Sequence, residues 1–434
     1  MGHLIAKEAH RRLRERLDKH SIGAPDVSAM YEILKTVYTE REAAIAAQMP
    51  MKLMTAAALA PRLKMSAGEL ERELAAMAEK GLVFDFAFDG PTMYMLAPTM
   101  VGFFEFSMMR LRADVDQKKL AGHYHDLVLD ESFTKPLIGL KTQPLRVLPH
   151  ESALPPDMFT EVCDYERATH VIGDANRWAV GLCYCRHIKH HVEADCKKFR
   201  MECCMTIGAG AEWTIRHGLA REISRQEALD LIAETRDAGL VHMADNVQRQ
   251  PTFMCNCCGC CCEMLLSFKK FDDFEPTFSS NFLAGSNEKC TGCGKCAKAC
   301  PVEAIDMVAG ERVVNGKRFK RAAKVDEDVC IGCGVCQLAC KFDSLTMKPR
   351  AQRRITPENT FKRMLSAALE TDKLHHLLIE GGEGMTWRVA NQMLGAILKL
   401  PPTKRLLLNQ RVRSRFLDAL IAGAKMSGVA GTDM

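Results

Sequence analysis

One cysteine pattern occurs twice in this chain and restricts its possible folds more than any other feature. The spacing C-x2-C-x2-C-x3-C runs from Cys290 to Cys300 and again from Cys330 to Cys340. A [4Fe–4S] cubane needs four thiolates at the corners of a tetrahedron, and each C-x2-C-x2-C turn supplies three of them. Glycines inside the turns let the backbone approach the inorganic sulfides. The repeat therefore predicts two iron–sulfur sites in this segment.

Over residues 285–349 the chain resembles the bacterial dicluster ferredoxin family, in which the fourth cysteine of each motif binds the other cluster. One departure is Lys341, which stands where the first motif has Pro301. Because proline is not a ligand, this difference concerns the turn and leaves cluster binding intact. The alternative is a pair of zinc sites. The resemblance implies one cluster on Cys290, Cys293, Cys296 and Cys340, and the other on Cys330, Cys333, Cys336 and Cys300.

Composition narrows the class of protein further. The formal net charge is +5 and 26% of residues are charged, so no basic excess points to nucleic acid. Twenty cysteines occur in tight clusters, with no signal peptide in front of them, which predicts a reducing cytoplasm and an anaerobic or low-oxygen setting. The most apolar stretch, residues 93–109, is interrupted by Pro98 and Glu105 and is too short to span a membrane.

Hydrophobic patterning predicts a multidomain α+β protein. Residues 25–98 contain three helical patterns followed by a strand, a turn at Asp89–Pro91 and a returning strand, and they resemble a winged-helix domain. The four predicted parts are N-terminal helices with the winged-helix-like domain (1–110), a cysteine-rich helical middle (111–284), the dicluster ferredoxin domain (285–349) and a helical C-terminal extension (350–434).

The charge of the third predicted helix indicates which class of partner the winged-helix-like domain can bind. That helix starts at a capping box formed by Ser66 and Glu69. Phosphate contacts require basic side chains, yet four glutamates oppose two basic residues here, so the helix is negative. We therefore expect a protein-docking or dimerising module and no nucleic-acid partner; a redox-responsive regulator is the alternative. The residues counted are Glu69, Glu71, Glu73, Glu79, Arg72 and Lys80.

The middle of the chain carries a second concentration of cysteines. Six of the eight residues from Cys255 to Cys262 are cysteines, and they cannot all face one metal because neighbouring side chains diverge. We expect one further [4Fe–4S] cluster here, favoured over zinc, with a reactive thiol centre as another alternative. Nearby basic residues such as Arg186 would stabilise an anionic cluster. The candidate ligands are Cys183, Cys185, Cys196, Cys204, Cys255, Cys257 and Cys258, with Cys203 as the alternative to Cys204.

Two further patterns are weaker. His123, His125 and Asp126 could form a metal site, but surface or satisfied histidines explain them better. The GxG at Gly208–Gly210 lacks a third glycine and a βαβ context, so it does not predict nucleotide binding.

The order of these motifs resembles that of a group of large 4Fe–4S ferredoxin-type proteins of anaerobic bacteria. The resemblance spans residues 30–349 and includes the CxCR motif at Cys183–Arg186, the run Cys255–Cys262 and a GFFEF segment at residues 102–106. It supports cluster binding and says little about a reaction. No acid–base or nucleophilic constellation stands out, so no catalytic residue is predicted.

The predicted function is therefore electron transfer between redox protein partners, with homo- and hetero-oligomers both open. The alternative is a catalytic or accessory subunit of an anaerobic reductase that uses the cysteine-rich middle as its active site. A redox-sensing regulator is the third hypothesis.

The implied ligand exchange gives a first prediction. Cys340→Ser should damage the cluster held by Cys290, Cys293 and Cys296, whereas Cys300→Ser should damage the other cluster. Electron paramagnetic resonance of the two reduced variants measures which signal is lost. The reverse pairing of variants and signals would contradict the exchange.

Overall fold

The computed structural model describes most of the chain as a mixture of helices and sheets. It divides into two compact units: residues 1–127, 140–142 and 358–434 form the first, and residues 128–139 and 143–357 form the second. The cysteine-rich middle and the predicted ferredoxin segment therefore lie mostly in one unit. The described residues are 2–87, 90–155, 163–192, 195–271, 276–379, 392–398, 400–408, 414–420 and 422.

The N-terminal part of the first unit combines helices with a small sheet, and residues 25–98 contain four helices where three were predicted. Its strands form an antiparallel sheet in the order β1–β3–β2. The Ser66 hydroxyl accepts a hydrogen bond from the Glu69 backbone N–H, so the predicted cap starts its helix. The turn residue Asp89 lies outside the described residues. The elements are α1 (Gly2–Leu17), α2 (Ser28–Val37), α3 (Glu40–Ala46), β1 (Met54–Thr55), α4 (Ala56–Leu63), α5 (Ala67–Glu79), β2 (Val83–Phe86), β3 (Met93–Leu96), α6 (Phe104–Met108) and α7 (Gln117–Val128).

The middle of the chain is organised around a six-stranded antiparallel sheet, so the prediction of a helical middle was wrong. Its strand order is β4–β8–β9–β6–β5–β7. Short strands rich in cysteine and methionine lack the alternation by which strands are recognised, because both of their faces are buried. The elements are α8 (Glu131–Ile138), β4 (Leu145–Leu148), α9 (Ala168–Asp174), β5 (Trp178–Leu182), α10 (Tyr184–Val192), β6 (Glu202–Ile207), α11 (Ala209–Arg216), β7 (Ala220–Ile223), α12 (Arg225–Asp237), β8 (Val241–Asp245), β9 (Phe253–Cys257) and α13 (Glu263–Lys270).

The ferredoxin segment consists of two antiparallel strand pairs and two short helices. Each helix begins directly after a left-handed glycine, Gly294 or Gly334. One strand pair closes the segment, and the other forms a long hairpin between the two cysteine motifs. The elements are β10 (Phe282–Ser286), α14 (Lys295–Ala299), β11 (Ile305–Val314), β12 (Lys317–Val325), α15 (Val335–Leu338) and β13 (Leu345–Pro349).

The C-terminal extension is helical where it is described. It contains α16 (Thr360–Glu370) and α17 (Leu374–Ile379), followed by helical segments at 392–398, Pro401–Leu408 and 414–420. Its apolar side chains form a core of their own. That core is centred on Leu365, Ala368, Leu374, Leu398 and Leu417.

In the part of the chain that the structure describes, no helix combines the length and the apolar composition needed to cross a bilayer. The apolar stretch noted in the sequence is divided among β3, a turn and α6.

Candidate metal centres

The two ferredoxin turns are shaped by glycines that no other residue could replace without strain. Gly292 and Gly332 both have φ of +67°, in the left-handed region that glycine adopts without a steric penalty. A Cβ on Gly332 would collide with the carbonyl oxygen of Phe282, and one on Gly292 would collide with that of Arg321. Each cysteine turn therefore packs directly against a strand of the segment. This backbone cradle fits the geometry that a cubane requires.

Four cysteines line a small cavity at the second turn. Its other lining residues are mainly apolar, including Val302 and Ile305. Burial raises the pKa of the Cys300 thiol, and burial together with the Cys300 and Cys330 thiols raises the pKa of Cys333. The structure thus brings the last cysteine of the first motif to the second turn, as the implied exchange requires. The four cysteines are Cys300, Cys330, Cys333 and Cys336.

At the first turn, Cys290 and Cys296 are buried whereas Cys293 is exposed. The backbone N–H of Ala323 in β12 donates to Cys290 Sγ at 3.3 Å. Cys340 is linked to this turn through Ser344. The Cys340 Sγ lies 3.1 Å from Ser344 Oγ. The Ser344 carbonyl accepts a hydrogen bond from the backbone N–H of Asn287, three residues before Cys290. The exchange of fourth ligands remains a prediction at both turns.

Six thiols in the middle of the chain, five of them buried and Cys255 half-buried, form a closed ring, which we call the thiol ring. Each thiol is within hydrogen-bonding reach of the next one, and Cys203 joins the ring through Cys183. Sheet register explains part of the ring, because Cys204 on β6 and Cys255 on β9 lie next to each other beside the pair Met205–Met254. In order, the ring contains Cys183, Cys185, Cys262, Cys257, Cys255 and Cys204.

The pKa values alternate around the thiol ring. Hydrogen bonds from neighbouring thiols lower the pKa of Cys183, of Cys262 and of Cys255, the last to about 6. The thiols between them have raised pKa values, because burial and the same hydrogen bonds favour their protonated form. Half of the ring is thus prepared for deprotonation, which metal ligation by thiols requires.

A second group of four thiols, which we call the tetrathiol site, lies beside the ring. Its sulfur atoms all lie within 4.8 Å of one another. The Sγ–Sγ distances are 3.3 Å between Cys258 and Cys260, 3.6 Å between Cys260 and Cys261, and 3.7 Å between Cys196 and Cys258. Hydrogen bonding by Cys261 and the charge of Arg186 lower the pKa of Cys258 to about 5 against the effect of burial.

Arg186 is buried between the two groups of thiols. Its Nη1 donates to Cys203 Sγ at 2.8 Å and to the Asn256 carbonyl at 3.0 Å, and its Nη2 donates to Cys258 Sγ at 3.6 Å. Burial alone would lower the pKa of Arg186, but the neighbouring sulfurs of Cys183, Cys203 and Cys258 outweigh it and raise that pKa. The guanidinium is therefore a fixed positive charge that both groups share.

The seven cysteines predicted as ligands in the middle do not meet at one point. Cys196 and Cys258 lie in the tetrathiol site, and the other five lie in the thiol ring. Sequence reasoning gave Cys203 as the alternative to Cys204 and missed three participants, for which strand alternation between Cys255 and Cys257 and the turn at Gly259 were the available signals. The five predicted ring members are Cys183, Cys185, Cys204, Cys255 and Cys257, and the missed residues are Cys260, Cys261 and Cys262.

The histidine pattern gives no comparable site. His123, His125 and Asp126 lie on α7, and within the described residues no group of metal-ligating atoms includes them.

The cysteine run of the middle touches the ferredoxin segment. A Cβ on Gly259 would collide with the carbonyl oxygen of Pro301, the residue after Cys300. A second contact is the hydrogen bond from the His150 backbone N–H to the Cys333 carbonyl, at 3.0 Å. The middle of the chain therefore packs against both sides of the cavity at the second turn.

The glycine cradle gives a testable prediction. In Gly332→Ala the new methyl group collides with Phe282, so the second turn cannot close around its cluster and about four irons per chain should be lost. Gly316→Ala is the matched control, because Gly316 has a similar φ of +75° but nothing within 4 Å of its Cβ position. Iron and sulfide analysis of both variants provides the measurement. Full iron content in Gly332→Ala would contradict the cradle.

Comparisons with known proteins agree with the ferredoxin segment. Residues 289–344 match the family model described as 4Fe-4S dicluster domain. A segment of 40 residues is 52% identical to NADH-quinone oxidoreductase subunit I of Flavobacterium psychrophilum, and it covers 9% of this chain and 22% of that relative. The chain thus spans about a fifth of the length of this relative, and no solved structure matches it. The predicted dicluster ferredoxin segment is confirmed: the chain carries a 4Fe-4S dicluster domain at residues 289–344.

Proposed function

We propose that this protein is an iron–sulfur electron carrier that passes single electrons between low-potential redox protein partners. Two clusters lie in the dicluster domain and a third lies in the thiol ring. A bound [4Fe–4S] cluster supplies a one-electron donor and acceptor whose potential depends on charge, hydrogen bonds and solvent exposure. The observation that carries the proposal is the contact of Gly259 with Pro301, which places the cysteine-rich middle against the dicluster domain.

The dicluster domain provides different surroundings for its two clusters. The cavity of Cys300, Cys330, Cys333 and Cys336 has apolar walls, whereas Cys293 of the other set is exposed. A solvent-exposed cluster is accessible to a partner, and a buried cluster is suited to transfer within the chain. We therefore assign the exchange with external partners to the cluster of Cys290, Cys293, Cys296 and Cys340.

The thiol ring is the best location for the third cluster. Its sulfurs come from both cysteine motifs of the middle, and the low pKa values of Cys183, Cys255 and Cys262 favour thiolates. Arg186 places a positive charge beside them, which stabilises an anionic cluster. A chain of contacts then leads from the ring through Gly259 to Pro301 and Cys300.

The hairpin of β11 and β12 supports docking of an acidic partner. Its backbone covers the first turn, because Ala323 donates to Cys290 Sγ and the Arg321 carbonyl packs against Gly292. Six basic residues on its two strands outnumber two acidic ones, and most of them are exposed. Complementary charge accelerates the encounter of redox partners. The residues counted are Arg312, Lys317, Arg318, Lys320, Arg321, Lys324, Asp306 and Glu311.

We assign the winged-helix-like segment, residues 25–98, to protein contacts. The segment contains the four helices α2 to α5, followed by the strand pair β2 and β3. The carboxylates of Glu69 and Glu73 on α5 receive hydrogen bonds from Arg41 at 2.6 and 2.7 Å, so Arg41 is engaged by carboxylates and is less available to a phosphate.

The second candidate function is catalysis by a reductase subunit. The observation that favours it is the surplus of sulfur ligands, because the thiol ring and Cys203 provide seven thiols where a cubane uses four. Free thiols could then act on a substrate. Both candidate functions require a reducing compartment, and we place the protein in the cytoplasm.

Iron content and turnover test the proposal together. Protein purified without oxygen should contain about twelve irons and twelve sulfides per chain, because three cubanes contribute about four each. The reduced protein should donate electrons to an oxidised acidic ferredoxin or flavodoxin. It should show no turnover of small disulfide or sulfur-oxyanion substrates when no protein partner is present.

Other results would overturn this account. Colourless protein without iron removes the carrier function altogether, and about eight irons removes the third cluster. Steady substrate turnover without a partner would favour the reductase.

The basic hairpin gives a separate prediction. Reversing the charge of two exposed residues, Arg318→Glu with Lys320→Glu, should lower the rate of electron transfer to an acidic ferredoxin by about tenfold or more at low salt. The control is Lys348→Glu, an exposed change outside the hairpin. Stopped-flow measurements over a range of salt concentrations provide the test, since high salt should remove the difference. Equal rates for all three proteins at low salt would exclude docking on the hairpin.

A further inference from the structure

We propose that the tetrathiol site binds a single zinc ion, in tetrahedral coordination by Cys196, Cys258, Cys260 and Cys261. The site would be separate from the thiol ring and from both clusters of the dicluster domain. It goes beyond the proposed electron transfer, because a zinc ion has no redox chemistry and would act on the structure alone.

The distances between sulfur atoms identify the kind of metal centre. With Zn–S bonds of about 2.3 Å, the sulfur atoms of a regular tetrahedron lie about 3.8 Å apart. The measured Sγ–Sγ distances are 3.3, 3.6, 3.7 and 3.9 Å, and none of the six exceeds 4.8 Å. A cubane places each thiolate on a different iron, which holds the sulfurs much farther apart. All four sulfurs of the tetrathiol site lie close to one another, which fits one ion, whereas in the thiol ring only successive sulfurs are neighbours.

The surroundings of the tetrathiol site also suit a structural ion. Cys258 and Cys261 are buried against Leu240, with Phe199 packed at the edge, while Cys260 is exposed. Four thiolates around Zn²⁺ carry a net charge of −2, and the Arg186 guanidinium beside Cys258 offsets part of it. An ion can thus enter from the solvent at Cys260 and remain shielded on the opposite side.

Zinc would fasten two distant parts of the chain. Cys196 lies between α10 and β6, whereas the other three ligands form the turn between β9 and α13. This turn contains Gly259, which packs against Pro301, and Cys258, which contacts Arg186. The ion would therefore hold both Arg186 and the contact with the dicluster domain in place.

Metal analysis of two variants tests the proposal. Wild-type protein, purified without oxygen and dialysed against EDTA, should retain about one zinc per chain, with four sulfurs at about 2.3 Å in X-ray absorption at the zinc edge. Cys260→Ala and Cys196→Ala, which alter the two chain segments that form the site, should each lose that zinc. Both variants should keep the full iron and sulfide content and the brown absorbance of the wild type. Cys163→Ala is the matched control, because Cys163 lies outside both groups of thiols.

Each contrary result is distinct from a failure of the electron-carrier function, which is judged by iron, sulfide and colour. Wild-type protein without zinc would overturn the proposal, as would nitrogen or oxygen ligands at the zinc edge. A single extra iron in place of zinc would overturn the choice of metal. A loss of about four irons in Cys260→Ala would show that a cubane occupies the site.

Discussion

The close approach of buried thiols is the constraint on which the second unit depends. A buried thiolate is unfavourable unless a positive charge or a metal compensates it, and a buried thiol needs a hydrogen-bond partner. In the thiol ring each sulfur has a sulfur neighbour, and Arg186 is the buried guanidinium bound to Cys203 and Cys258. A fold that places so many sulfurs around one guanidinium is suited to bind metals. The pairing of β6 with β9 brings two of these sulfurs together.

Local sequence signals predicted much of this structure correctly. The cap at Ser66 accepts a hydrogen bond from the backbone N–H of Glu69, where the helix was expected to begin. The ferredoxin turns were predictable for a similar reason, because three of the four ligands and their glycines lie within seven residues of one another. In both cases the information and the structure that it determines occupy the same short segment.

The arrangement of the middle could not be predicted in this way, because it depends on contacts between distant residues. The thiol ring needs Cys204 of β6 beside Cys255 of β9, and only sheet register brings them together. The separation into two groups of thiols depends on the turn at Gly259, which directs Cys258 and Cys260 away from Cys257. The spacing of the cysteines along the chain showed that they could not all bind at one site. It could not show which cysteines belong to the thiol ring and which to the tetrathiol site.

The contact at Gly259 limits how freely this protein could have been assembled from separate parts. A dicluster ferredoxin segment is compact enough to be regarded as an independent domain. Here even a methyl group at Gly259 would strike the backbone of Pro301, and His150 is hydrogen-bonded to the Cys333 carbonyl. A dicluster domain taken from another protein would have to fit closely at both contacts, the one at Pro301 and the one at Cys333. The two cysteine-rich segments of this chain are therefore expected to have changed in concert during evolution.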